Sequence, residues 1–347
     1  EQEYKDSAYF YYQKAEKLYQ LIGNDELRAK MLFNKGYILF FEGNYVESEI
    51  LLSNALQLLK YGTNHELKYT ILNLMGCNLK KLDDYDNSLL YFNLAQKELD
   101  ILNKQDIYFN RKFNYNVVLL VNKANVYDKL KNYRKSIFEL NSVLNQNLKE
   151  TWPRNYAIVL GNLGYSKMKS GNLKNVEFLL RESLNLSFEN KNEDDAVNLL
   201  INLGEYYLIK KDTTKSRDYL NRALVLGHKI NATNELKLVY DLLSKAEPQR
   251  DSYYKGKIIR LTDSLAVVQR KNRNKYARIE YETAVVEDAN KELSSKNLYL
   301  IFGVVILVAA LGVRYVIGQR KEIAYRKQLQ AAELELFDLM RSSQVAH

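Results

Sequence analysis

A small residue recurs along the chain at Gly36, Gly76, Ala124, Gly164 and Gly204, at intervals of 40, 40, 48 and 40 residues. Each sits in the same context. Leu32, Gly36, Tyr45, Ser48, Leu52 and Ala55 are echoed by Leu72, Gly76, Tyr85, Ser88, Phe92 and Ala95, then by Ala124, Tyr133, Ser136, Leu140 and Val143. Two further copies carry Gly164, Leu173, Val176, Leu180 and Ser183, then Gly204, Thr213, Ser216, Leu220 and Ala223. Small residues at fixed offsets let two antiparallel helices approach closely, and the large ones fill the space between neighbouring hairpins. Turn signals fall between the helices of each unit, at Glu42-Gly43-Asn44, Leu82-Asp83-Asp84, Leu130-Lys131-Asn132, Ser170-Gly171-Asn172 and Lys211-Asp212. A period of this length means a stacked array.

This pattern resembles the tetratricopeptide repeat (TPR) over roughly residues 1 to 247, and the resemblance implies an all-α superhelix of helical hairpins. The pitch exceeds the usual repeat of about 34 residues, so longer helices or loops must absorb the difference, with an insertion near 105–114. Ala8, Tyr12 and Ala15 match the second helix of a hairpin, so the sequence is expected to open inside a repeat. Two prolines and fourteen glycines leave little punctuation for a β fold.

After the repeats, the run Asn297 to Val313 carries no charge, and Leu298 to Ile317 is interrupted only by Arg314. Its twenty residues correspond to about 30 Å of helix, the thickness of a bilayer's hydrocarbon core. Arg314 lies close enough to the end to snorkel to the interface. The expected organisation is therefore a TPR-like array over 1–249, a helical stalk over 250–297, a transmembrane helix over 298–317 and a short cytoplasmic helix over 318–347. In the stalk, Leu265, Asn272, Ile279, Val286 and Leu293 recur every seven residues, while the complementary row is mostly polar. Half a seam fits either a weak parallel homodimer or a single solvated helix. Arg320, Lys321, Arg326 and Lys327 follow the span, against Lys291 and Lys296 before it, which favours a cytoplasmic C-terminus and a periplasmic array.

Catalytic chemistry has little to stand on. The three histidines, His65, His228 and His347, are scattered; Cys77 is the only cysteine; and no phosphate-cradling glycine loop, HExxH or nucleophile elbow occurs. No cofactor or metal is expected. The net charge of +9 is spread among alternating signs, and the local cluster Arg270, Lys271, Arg273, Lys275 and Arg278 reads as a solvated stalk face, so no nucleic-acid partner is expected.

TPR arrays present a concave groove lined by the first helix of each hairpin. The resemblance carries the groove positions onto Phe33, Tyr37, Phe40 and Phe41 in the first full unit, and onto Asn73, Lys80 and Lys81 in the second. Asn125 and Lys129 follow in the third, Tyr165 and Lys169 in the fourth. An aromatic end grading into an Asn/Lys floor suits a protein or peptide ligand with an apolar anchor and acidic groups, and equally suits aromatics packed between repeats with ordinary surface lysines.

The region past the array also resembles the bacterial, Bacteroidetes-type TPR sensor proteins, through Tyr253-Tyr254-Lys255, Leu261-Thr262-Asp263-Ser264-Leu265, Tyr276, Tyr281-Glu282-Thr283, the span and the tail Glu333 to Met340. That resemblance implies an inner-membrane, single-pass sensor whose output is usually a two-component histidine kinase and less often a helix-turn-helix regulator. The sequence departs from it in lacking a phosphoacceptor motif and an ATP-binding box, so kinase activity would require a domain beyond residue 347. The alternative is a membrane-anchored TPR scaffold with no signalling output.

Overall fold

A computed structural model describes residues 2–104 and 109–345. Among them there is no β-strand. The helices are α1 (Gln2–Leu21), α2 (Asp25–Phe41), α3 (Tyr45–Leu58), α4 (His65–Lys81), α5 (Tyr85–Lys104), α6 (Phe109–Lys129) and α7 (Tyr133–Val143). They continue as α8 (Gln146–Thr151), α9 (Pro153–Lys169), α10 (Val176–Glu189), α11 (Glu193–Ile209), α12 (Thr213–Lys229), α13 (Thr233–Ala246) and α14 (Asp251–Val345). Five pairs, α2/α3, α4/α5, α6/α7, α9/α10 and α11/α12, pack as hairpins.

The repeating residues explain the pairing. A Cβ on Gly76 would stand 2.5 Å from the Phe92 ring, and one on Gly204 would stand 2.6 Å from Leu220. The small residue is the seat for the large residue sixteen positions on. Twelve positions on, a serine hydroxyl donates to its carbonyl: Ser48 to Gly36 O at 2.7 Å, Ser88 to Gly76 O at 2.7 Å and Ser216 to Gly204 O at 2.8 Å. These serines are fully buried, so each bond satisfies a hydroxyl that water cannot reach. In the fourth unit Val176 takes the serine's place.

Turns between helices end in caps. Asn24, Asn64, Asn132, Asn145, Asn192 and Asp212 each accept a backbone N–H from the first turn of the helix they precede. Gly43, two residues before α3, adopts φ +79°, a left-handed conformation that glycine enters without strain.

The long interval between Gly76 and Ala124 is absorbed by helix length. α5 has 20 residues and α6 has 21, against 14 in α3 and 17 in α4. The insertion expected near 105–114 lies partly outside the described residues.

The chain forms two compact units, Glu1–Glu280 and Tyr281–His347. The first takes in the array together with the packed opening part of α14. Tyr254 is buried beside Tyr240, and Asn272 and Tyr276 are buried against the first helices of the chain. The second unit is helical throughout its described residues and contains the one candidate membrane span among them, with mean hydropathy 2.5 and none of its side chains buried. The expected stalk, span and tail are therefore stretches of one helix. The side chains of 337–347, including His347, lie outside the described residues.

Candidate functional site

The first helices of successive hairpins, α4, α6, α9 and α11, together with α13, line a cavity of about 730 Å³. Their shared face is built by the repeat itself. An asparagine stands two positions before the small residue at Asn34, Asn122, Asn162 and Asn202, and the last three of these reach the cavity. Lys81 and Lys129 both stand five positions after their small residue and both line it.

Several expected groove residues come together here: Lys80, Lys81, Asn125, Lys129 and Tyr165. Asn73 does not line the cavity, but its Oδ1 accepts a hydrogen bond from cavity-lining Asn122 at 3.1 Å. Lys169 is held by Glu205 at 2.5 Å while its ammonium sits over the Tyr165 ring at 5.4 Å. The aromatic set lies elsewhere on α2. Phe33 and Phe40 are partly buried against the core formed with α3 and α4. Tyr37 and Phe41 are exposed, their ring centroids 4.7 Å apart.

Charge is unevenly placed along the cavity. Lys80 is half-buried, and burial, with the like charges of Lys81 and Lys129, pulls its ammonium below the ordinary lysine range. Carboxylates come from Asp83 in the turn after α4, Asp128 on α6, Asp195 on α11 and Glu235 on α13. Asp128 is 8% exposed. The Ser166 hydroxyl donates to its Oδ2 at 2.8 Å, and Ser136 lies 2.8 Å behind Ser166. Oδ1 has no hydrogen-bond partner among the described residues. Burial pushes this carboxyl up to about 6, against the hydrogen bonds that hold it down. Burial also raises Asp195, which is bonded by Asn192.

Sequence reasoning missed Asp128, Asn162, Asn202 and Glu235. The recurrent asparagine was the available signal for two of them. Asp128 had another: it occupies the position held by Phe40, Lys80, Met168 and Leu208 in the other units, so it is the one acid there. No grouping of His, Cys, Asp and Glu among the described residues suits a metal ion. His65 is the first residue of α4. Its Nδ1 lies 2.6 Å from Glu98 Oε2.

No known sequence family matches the chain, and no curated protein matches it. Solved structures do. The apo form of RapI superposes with a TM-score of 0.56 at 15% identity, covering 77% of this chain and 90% of that one. A Rap protein complexed with competence and sporulation factor gives 0.54 at 16% identity, covering 76% of each. BtubC from P. vanneervenii gives 0.51 at 16% identity, covering 65% of this chain and 91% of that one. At such identities the likeness is one of fold, and the fold is a TPR-like superhelix of helical hairpins.

Proposed function

We propose that this chain is the sensing and transmitting region of a membrane-anchored bacterial sensor. Its array binds an extended peptide or protein segment along the concave cavity. Its membrane-capable helix carries the response to a cytoplasmic output, most simply a histidine kinase core beyond residue 347. The observation that carries the binding half is the cavity itself. Asn125, Asn202, Lys80, Lys81 and Lys129 line it with no protein partner among the described residues, so donors and acceptors stand ready for a peptide backbone and for acidic groups. A neighbour of the same fold was solved with a factor bound, which favours the same use of the fold here.

The transmitting half is supported by one fact. The helix that contains the apolar stretch is also the helix whose first turns pack on the array. The basic residues after the span favour an array in the periplasm, and homodimerisation through the stalk is part of the same proposal. Two measurements test it. Retention of synthetic peptides by the purified full chain in detergent tests binding, and absence of any retained peptide would sink it. Reading the coding sequence past residue 347 tests the output: a kinase core supports the proposal, whereas a stop codon favours the scaffold and a helix-turn-helix the tethered regulator.

A further inference from the structure

The cavity contains a carboxylate that the peptide-groove reading does not use. Asp128 lines the cavity and is almost fully buried; its Oδ2 accepts from Ser166, and its Oδ1 is buried with no hydrogen-bond partner among the described residues. A buried acceptor without a partner costs free energy that folding does not recover. The fold supplies no cation to it either, since no salt bridge reaches Asp128 among the described residues. The adjacent Lys129 is exposed and acts on Lys80 as a like charge.

Two further carboxylates line the same cavity from α11 and α13, Asp195 and Glu235. Arg154 acts on Asp195 only as a nearby charge, and Glu235 has no ion-pair partner among the described residues. The cavity thus carries both signs: Lys80, Lys81 and Lys129 come from α4 and α6, and carboxyls come from Asp83 in the turn after α4, Asp128 on α6, Asp195 on α11 and Glu235 on α13.

We propose that Asp128 is the anchoring acceptor for a basic side chain of the bound peptide, with Asp195 and Glu235 extending the same acidic wall. This rests on the peptide reading above and adds the ligand's chemical class. The ligand is a peptide carrying a lysine or arginine. A guanidinium meeting a desolvated carboxylate forms a charge-assisted hydrogen bond, stronger than its neutral counterpart.

The test uses the full chain in detergent and three matched random octapeptide pools. They differ only at one fixed position, which holds arginine, citrulline (its neutral isostere) or norleucine. The arginine pool is expected to be retained about tenfold better than the citrulline pool. Asp128→Asn should abolish that preference while leaving thermal stability at pH 7 equal to or above that of the parent, which separates a binding role from a structural one. Retention of all three pools alike overturns the inference but leaves the peptide groove standing. The same holds if the arginine preference survives in Asp128→Asn. No retention of any pool overturns both. Should Asp128→Asn misfold, Glu235→Gln, which changes a carboxylate with no ion-pair partner to lose, must reduce the arginine preference for the inference to survive.

Discussion

The ring of Tyr276 lies 4.6 Å from the ring of Tyr9, across 267 positions of sequence, and both residues are buried. Around this pair the start of α14 is fastened to the first two helices. The Tyr9 hydroxyl donates to Glu280 at 2.7 Å, Lys275 pairs with Asp6 at 2.5 Å, and Asn272 donates to Glu42 at 2.5 Å. Buried Lys35 gathers Gln13, Glu16 and Glu280 around its ammonium. Burial, reinforced by Glu280, raises the Tyr9 phenol far above its ordinary range, so it donates at every physiological pH. Residues 272–280 of α14 are therefore joined to the first helices by side chains.

Removing the centre of this fastening should release both partners together. Tyr276→Ala deletes a buried aromatic and is expected to cost about 3 kcal/mol locally. Hydrogen exchange provides the measurement: amides of α1 and of residues 265–280 should lose protection in parallel, while those of α11 keep theirs. Loss confined to α14 would mean that α1 is held by α2 alone.

The Gly–large-residue seats give a sharper contrast. Gly76→Ala forces a methyl to within 2.5 Å of the Phe92 ring, and overpacking of this kind costs about 1–3 kcal/mol. Gly256→Ala, on α14 with nothing within 4 Å of the added Cβ, should instead stabilise by about 0.5–1 kcal/mol through helix propensity. Urea denaturation of the two variants checks the opposite signs.

Which parts of this fold could be read beforehand follows from range. The hairpins were legible because glycine, serine and the large residue lie within sixteen positions, so one period carries the whole contact. The fastening was not. Leu265, Asn272 and Ile279 form a heptad row that marks one face for burial, but periodicity does not say what covers it. In the structure Asn272 and Ile279 meet this chain's own first helices. The lysine and amide positions of the groove were legible by phase. Asp128 was hidden by its neighbour in the phase, since Lys129 already accounted for that turn of α6.

Asp128 also makes stability depend on pH. Its folded value, about 6, lies above the ordinary carboxyl value of 3.8, so the folded state holds its proton more tightly than the unfolded one. The cost is absent below pH 4, grows as pH rises towards 6 and is complete above it. A tenfold difference in proton affinity corresponds to about 1.4 kcal/mol, so a gap of about two decades costs up to about 3 kcal/mol. Asp128→Asn should therefore melt higher than the parent at pH 7 and no higher at pH 4. Equal differences at both pH values would show that the carboxyl is not strained by burial.

The exposed pair on α2 supplies the last expectation. The rings of Tyr37 and Phe41 lean against each other at the surface, the residues 48% and 58% exposed, while Phe33 and Phe40 are built into the core. If the groove extends past the cavity onto α2, as the repeat phase predicts, then Tyr37→Ala with Phe41→Ala should weaken binding of retained peptides while changing stability by less than about 1 kcal/mol. A buried anchor ring is worth about 2 kcal/mol or more on truncation, so the loss should be about thirtyfold or greater. It should persist at high salt, because apolar contact is not screened, whereas the smaller loss from Lys81→Ala should shrink. Fluorescence titration at low and high salt, with circular dichroism to verify the fold, measures both. Unchanged affinity in the aromatic variant would confine the groove to α4 and the first helices that follow it.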